Sequence, residues 1–301
     1  MKAVVVHQYG GPEVLKFEEY PDPVPGPGEV LVRVAATSVN PIDYKRRAGQ
    51  TKDFYPIKFP GLLGVDIAGT VVNAGPGVEG FSVGEHVFAM AADTYAELCV
   101  VKAESLAKVP KGLDLIQAAA LPLVTTTGNE LISATGIKAG QTVLVAGAAG
   151  NVGRSAVFTA KQRGAIVIAG VLKRQMEEAK TIGGDQVVAT DDDNAIANLS
   201  LLDAVADTVN GKTAEELIAK VKQGGVFASV LGAPQNAEKY PAVKVVPVVA
   251  KPDTKTLQFM AEAVRDGKLV IPISRQLPLS NAAEGQAAAE EGGIGKVLLV
   301  A

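Results

Sequence analysis

The chain has 301 residues, 48% of them hydrophobic and 20% charged, with 29 Lys and Arg against 32 Asp and Glu and a net charge of −3. That balance belongs to a folded protein of one large domain or two ordinary ones, and it excludes a disordered chain and a dedicated nucleic-acid binder, which needs surplus cation. One cysteine, Cys99, and two histidines, His7 and His86, exclude an intrachain disulfide and any multi-cysteine or histidine-rich metal site. The first twenty residues carry Gln8, Glu13, Lys16 and Glu18 where a secretory leader would be apolar, and no apolar run approaches the roughly 18 residues of a membrane span. A reduced, cytoplasmic protein with no membrane and no nucleic-acid partner is expected.

Up to about residue 110 the chain reads as short strands: 3–6, 30–34, 69–73, 86–89 and 95–101. They are broken by turn-rich stretches such as Pro21-Asp22-Pro23-Val24-Pro25-Gly26-Pro27-Gly28. Strands this short and irregularly spaced predict a small β-rich domain, a partly open barrel. From about residue 119 strand and helix alternate: strand 142–146, helix 152–163, strand 165–171, helix 175–182 closed by Gly183-Gly184, then strand 186–189. Segments 201–208, 226–231 and 243–249 supply three more strands, with helix 214–222 between the first two and helix 255–265 after the last. Strands apolar on both faces and separated by helices predict a doubly wound parallel sheet, an α/β unit. After it the chain returns to short strands and a small surface helix at 282–293, ending in strand 296–300. The doubly wound part (119–265) therefore reads as inserted into the β-rich part (1–118 and 266–301). Cys99 reads as a buried small hydrophobe and His86 as structural.

The sharpest local feature is Val143-Leu144-Val145-Ala146-Gly147-Ala148-Ala149-Gly150-Asn151-Val152-Gly153, which follows a strand and opens a helix. Glycine there serves a tight turn, close approach of backbone to a pyrophosphate and helix-to-strand packing, while the helix N-terminus offers N–H groups to the phosphates. The spacing Gly147, Gly150, Gly153 is one residue wider than the usual fingerprint; an ordinary tight turn is the alternative. About twenty residues on, where an NAD-preferring protein places an acid for the ribose, the chain reads Leu172-Lys173-Arg174, with no acid before Glu177. Two cations suit a 2′-phosphate, so the expected cofactor is NADP(H).

The whole chain resembles the medium-chain dehydrogenases/reductases, in the zinc-independent quinone and enone oxidoreductase branch that includes zeta-crystallin. The resemblance rests on Met1-Lys2-Ala3-Val4-Val5-Val6, on Tyr9-Gly10-Gly11-Pro12-Glu13-Val14-Leu15 and on Gly28-Glu29-Val30-Leu31-Val32-Arg33-Val34. It continues through Ser38-Val39-Asn40-Pro41-Ile42-Asp43-Tyr44-Lys45, Gly64-Val65-Asp66-Ile67-Ala68-Gly69, the loop Gly147 to Gly153 and the terminal Gly295-Lys296-Val297-Leu298-Leu299. It implies a GroES-like β-rich catalytic domain, a Rossmann domain and a homodimer through the strand at 243–249. The zinc-containing relatives place a cysteine ligand near Asn40 and a His-Glu pair at Val65-Asp66. Neither is present here, so no zinc is expected.

The resemblance places Asn40, Asp43, Lys45, Tyr55 and Thr127 at the reaction site, and Thr127, Gly147, Ala149, Gly150, Asn151, Val152, Gly153, Lys173, Arg174, Leu231 and Gly232 against the cofactor. Asn40 would hold substrate or ribose with its amide. Lys45 would meet the oxygen on which charge develops as hydride arrives, and Asp43 would orient Lys45 or hold a ribose hydroxyl. Tyr55 matches a family tyrosine only across a one-residue gap. The implied activity is NADPH-dependent reduction of a quinone or of the C=C bond of an α,β-unsaturated carbonyl. Two alternatives stand beside it: an enoyl-thioester reductase, and an NADPH-binding sensor or structural protein with little catalysis.

Overall fold

In a computed structural model, which describes residues 1–293 and 295–301, the chain divides into two compact units, Met1–Leu123 with Pro252–Ala301, and Val124–Lys251.

The first unit holds β1 (Lys2–Val6), β2 (Leu15–Glu19), β3 (Glu29–Ser38), α1 (Pro41–Arg47), β4 (Gly61–Leu62), β5 (Asp66–Ala74), β6 (His86–Met90), β7 (Leu98–Lys102), β8 (Leu106–Lys108) and α2 (Leu115–Ala118). Helix α3 (Pro122–Thr135) leads into the second unit. There follow β9 (Thr142–Ala146), α4 (Asn151–Gln162), β10 (Ile166–Val171), α5 (Met176–Ala179), β11 (Gln186–Ala189), α6 (Asp193–Ala197), β12 (Leu202–Asp207), α7 (Gly211–Ile218), β13 (Val221–Ser229) and β14 (Lys244–Pro247). The chain returns to the first unit through α8 (Thr254–Arg265), β15 (Ile273–Pro278), α9 (Ala282–Glu291) and β16 (Lys296–Val300).

The first unit is built on a mixed sheet in the order β15-β16-β3-β5-β6-β8, antiparallel except for the parallel pair β15-β16, with β7 also on β3, and on a small antiparallel sheet β2-β1-β4. The long order runs open from β15 to β8 and does not close into a barrel. Alternation along β3 turns Val30, Val32 and Val34 into a core with Ile67, Val71, Val87 and Cys99. Cys99 is buried there as a hydrophobe, and burial pushes its thiol up to about 12. His86 opens β6 opposite Thr70, exposed.

In the second unit the parallel order β11-β10-β9-β12-β13-β14 reverses direction between β9 and β12. That switch is where open α/β sheets bind ligands, beyond the carboxyl ends of their strands. Val143, Leu144, Val145 and Ala146 of β9 are all fully buried, as a central strand covered on both faces must be.

Local differences from the sequence reading have physical causes. The helix expected at 214–222 stops at Ile218, because Val221 is needed in β13, where it pairs with Leu202. The segment 175–182 forms only one short turn and α5. The strand expected from Tyr95 begins at Leu98, since Tyr95 instead donates its N–H to Leu63 and accepts from Val4. Helix α8, read with the doubly wound part, clusters with the first unit, where Arg265 lies beside Gly112. No helix among the described residues is long and apolar enough to cross a membrane.

Candidate active site

In the first unit the candidate residues gather at the end of β3. Asn40 sits just before α1 in extended backbone, with Pro41 at the first helical position, where its missing N–H costs nothing. The Asn40 N–H donates to Asp43 Oδ2 at 2.8 Å, and the Asp43 N–H donates back to the Asn40 carbonyl at 3.0 Å. The side chain of Asn40, 1% exposed, is held at both ends: Nδ2 donates to Asp66 Oδ2 at 2.7 Å, and Oδ1 accepts from Lys296 Nζ at 2.7 Å. Lys296, 3% exposed, also reaches Asp66 Oδ2 at 3.3 Å and the Val39 carbonyl at 3.4 Å. Asp66 further accepts from the Ser38 hydroxyl and, through Oδ1, from the Leu123 N–H at 2.7 Å.

Asp43 is fully buried, accepts from the Tyr95 hydroxyl at 3.2 Å, and leaves Oδ1 with no partner. Burial raises its pKa first and the Asp66 charge adds to that; the Asn40 N–H, Lys296 and Tyr95 pull the other way, and the result is about 7. Asp43 is therefore paired with Asn40 and Tyr95, and the expected contact with Lys45 is not made. Lys45 stands half-buried in the last turn of α1, and its side chain makes no hydrogen bond or ion pair with the described residues. Tyr55 lies with its ring over the Arg46 guanidinium, 3.8 Å from Cζ to the ring centroid. Arg47 is buried and donates to Gly10, Gln286 and Glu290.

In the second unit the glycine loop follows β9 at the switch. Gly147 has φ +77°, and a Cβ there would lie 2.3 Å from Thr208 Oγ1; one on Gly153 would lie 2.1 Å from the Gly147 carbonyl. Both positions thus demand glycine. Gly150 caps α4, is exposed, and donates its N–H to the Gly147 carbonyl at 2.9 Å. The Ala149 carbonyl is held by Arg154 Nε at 3.1 Å, and Arg154 is paired with Glu178. Asn151 and Val152 open α4, and the buried Asn151 Oδ1 has no partner. First-turn N–H groups have no intrahelical acceptor, so an exposed glycine turn beside them is a cradle that fits a dinucleotide pyrophosphate.

Lys173 and Arg174, just past the end of β10, are exposed, and their side chains make no hydrogen bond or ion pair with the described residues. The Lys173 N–H donates to Asp191 Oδ1 at 2.7 Å, so a carboxylate that is absent from the local sequence is brought there by folding. Leu231 and Gly232 (φ +96°) follow β13, where the Leu231 carbonyl accepts from Asn210 Nδ2 at 3.2 Å. Thr127 is buried in α3, which stacks on α4 next to it: Ser155 Oγ donates to the Thr125 carbonyl at 3.1 Å.

Sequence reasoning passed over Lys296, Asp66 and Tyr95 as functional residues, although the motifs containing Lys296 and Asp66 were in view. A parallel sheet with a glycine turn at its switch point defines the second unit as a nucleotide-binding α/β fold. The comparisons with known proteins agree. Residues 26–111 match the alcohol dehydrogenase GroES-like domain, and residues 182–299 match the zinc-binding dehydrogenase family. The chain is 31% identical to a chloroplast envelope quinone oxidoreductase homolog of Arabidopsis thaliana, over 99% of this chain and 98% of that one. It is 32% identical to a chloroplastic NADPH-dependent alkenal/one oxidoreductase of the same plant, over 77% of this chain and 63% of the relative. The solved quinone oxidoreductase from Coxiella burnetii superposes with a TM-score of 0.89 at 30% identity, covering 100% of this chain and 99% of that one. The chain belongs to the medium-chain dehydrogenase/reductase superfamily, among its quinone oxidoreductases, and is an oxidoreductase.

The second family carries zinc in its description, but the donors here do not fit that ion. Asn40 and Asp66 offer an amide and a carboxylate whose oxygens already face the Lys296 ammonium, which would repel a dication. Among the described residues no group of three His, Cys, Asp or Glu could hold a metal.

Proposed function

We propose that the protein uses NADPH to reduce a quinone or the C=C bond of an α,β-unsaturated carbonyl, without a metal. The observation that carries this reading is the glycine cradle at the switch point together with two unpartnered cations, Lys173 and Arg174, past the end of β10. Gly147, Gly150, Asn151, Val152 and Gly153 would take the pyrophosphate, Lys173 and Arg174 the 2′-phosphate, and Thr127, Leu231 and Gly232 the remainder of the cofactor.

When bound, NADPH would supply a hydride to the β-carbon or quinone ring. The carbonyl oxygen of the acceptor would then carry the negative charge until a proton from solvent completes the reduction, so a donor is needed beside that oxygen. Arg46 of the same helix also has unbonded donors but is buried, so Lys45, half-buried and with no side-chain partner among the described residues, is the α1 cation within reach of an entering substrate: its ammonium hydrogen-bonds the developing oxyanion. Asn40 acts through its fixed position at the head of α1, since both ends of its amide are already held. Asp43 braces the same turn through the Asn40 N–H.

The experiment is loss of reduced-nicotinamide absorbance with a simple quinone, a short alkenal, a cyclic enone and an enoyl thioester, with NADH run in parallel. NADPH-specific turnover of a quinone or enone is the expected result. Turnover of the thioester alone would move the substrate class, and tight NADPH binding with no acceptor reduced would overturn the catalytic reading.

A further inference from the structure

We propose that Lys296 is a positioning residue for this reaction: its ammonium, seated between Asn40 and Asp66, holds the Asn40 side chain and the first turn of α1 in the one arrangement that supports turnover. The role rests on the hydride-transfer reading above, whereas the geometry that suggests it does not.

A lysine is almost never fully buried unless its charge is answered. Lys296 has acceptors in Asn40 Oδ1, Asp66 Oδ2 and the Val39 carbonyl. The backbone delivers it there. The Lys296 N–H donates to the Pro272 carbonyl, ahead of β15, at 2.7 Å, and the Val39 N–H donates to the Val297 carbonyl at 2.9 Å, so the backbone at Lys296 is tied to the approach to β15 and that of its neighbour to the end of β3. Gly295 before it has no room for a side chain, since a Cβ would lie 2.4 Å from the Pro272 carbonyl.

A buried ion pair is a poor device for stability, because apolar side chains of similar volume fill such a place at least as well. What a cation and an anion placed on opposite ends of one amide do achieve is to choose its orientation. Asn40 must turn its oxygen to Lys296 and its NH2 to Asp66; the flipped amide would set NH2 against ammonium and oxygen against carboxylate. With the side chain fixed, the Asn40 N–H points at Asp43 and the carbonyl caps the Asp43 N–H, which sets the start of the helix that carries Lys45.

The same charges act on Asp43. The groups facing it are Asp66, Lys296, the Tyr95 hydroxyl and Tyr44 of its own helix. Asp66 raises and Lys296 lowers the Asp43 carboxyl, so removing the lysine charge alone moves Asp43 upward, and removing the Asp66 charge as well acts in the opposite direction.

The test compares Lys296→Met, Lys296→Arg and the double variant Asp66→Asn with Lys296→Met. Three readouts are used: kcat on the acceptor panel, NADPH Kd, and the pH midpoint of the Asp43 side-chain carboxyl by carbon NMR without substrate, assigned by its loss in Asp43→Asn. In Lys296→Met kcat is expected to fall about tenfold or more with NADPH Kd unchanged, while the Asp43 midpoint rises by about one pH unit. Lys296→Arg recovers part of both. The double variant returns the midpoint toward wild type yet keeps the low kcat, because Asn40 has lost the charges that orient it. Wild-type kcat in folded Lys296→Met, or in the double variant where the single one does not fold, overturns the proposal. So does an unmoved Asp43 midpoint in the single variant, a measurement that stands even where the wild-type protein reduces none of the acceptors and the hydride-transfer reading itself has failed.

Discussion

The guanidinium of Arg46 lies over the ring of Tyr55, 3.8 Å from Cζ to the ring centroid. Arg46 is 6% exposed, and its Nε and Nη1 have no hydrogen-bond partner, so the aromatic face, together with the nearby Asp93 charge, answers this buried cation. Tyr55 thus has a packing task that its phenol does not perform. Tyr55→Phe keeps the face and should hold kcat/KM near wild type, whereas Tyr55→Ala uncovers Arg46 and should lower stability by about 1 kcal/mol. Thermal unfolding and steady-state kinetics of the two variants check this. A large loss of kcat in Tyr55→Phe would return the hydroxyl to the chemistry.

Asp43 gives the protein a pH dependence of definite sign. Its folded-state pKa, about 7, lies above its ordinary value of 3.8 because the carboxyl is buried. Below the lower value both folded and unfolded states hold the proton. Between the two only the folded state does, and stability falls by about 1.4 kcal/mol for each pH unit. Above the upper value the buried carboxylate is ionised and the loss is complete. Asp43→Asn stays neutral throughout, so its Tm relative to wild type should improve from pH 5 to pH 8. A difference in Tm that is flat with pH would contradict the burial argument.

The Lys45 side chain makes no hydrogen bond or ion pair with the described residues, so truncating it should cost little stability. Removing a donor to a developing oxyanion typically costs about 100-fold in kcat. Lys45→Ala is therefore expected to lose turnover on that scale with unchanged Tm and unchanged NADPH Kd. Unaltered turnover would take Lys45 out of the mechanism.

The cofactor preference turns on Lys173, Arg174 and Asp191. Charged hydrogen bonds contribute about 1.5–3 kcal/mol each, so Lys173→Ala with Arg174→Ala should weaken NADPH by about 100-fold and leave NADH nearly unchanged. Fluorescence titration with both nucleotides reads the ratio. NADH bound as tightly as NADPH by the wild-type protein would instead mark Asp191, already beside the Lys173 N–H, as a ribose partner.

How much of this was legible depends on whether a requirement is local. The glycine loop was, because the needs at Gly147 (φ +77°) and at Gly153, which has no room for a Cβ, are written into one strand-turn-helix. The doubly wound sheet was legible from its uninterrupted apolar strands. The Asn40-to-Asp43 turn could be read from its motif, but not the fate of its side chains. Asn40 meets Lys296 from 256 positions away, a contact that only the pairing of β16 with β3 creates. Tyr95 read as one more strand residue, and Asp191 reached Lys173 across a strand connection. Helix α3, with Thr125, Thr126, Thr127 and Gly128 in its middle, lacks the apolar stripe that announces a surface helix, since it is buried on several sides.

The edge of the parallel sheet carries the last prediction. Strand β14 pairs with β13 on one side only among the described residues, and Val249 just beyond it is 79% exposed. The open edge, with Val245 and Val246 between Lys244 and Pro247, is a short template for pairing with another chain, and a second copy presenting the same edge would satisfy it symmetrically. The expected assembly is a homodimer, read by light scattering over a range of concentrations. Val249→Lys adds a charge beside Lys251 and its symmetry mate, so like charges would meet across the two-fold. The variant should shift toward monomer while its Tm, extrapolated to low concentration, stays that of the wild type. A wild-type protein that is monomeric at every concentration would remove β14 as an interface and leave its exposed edge without an explanation.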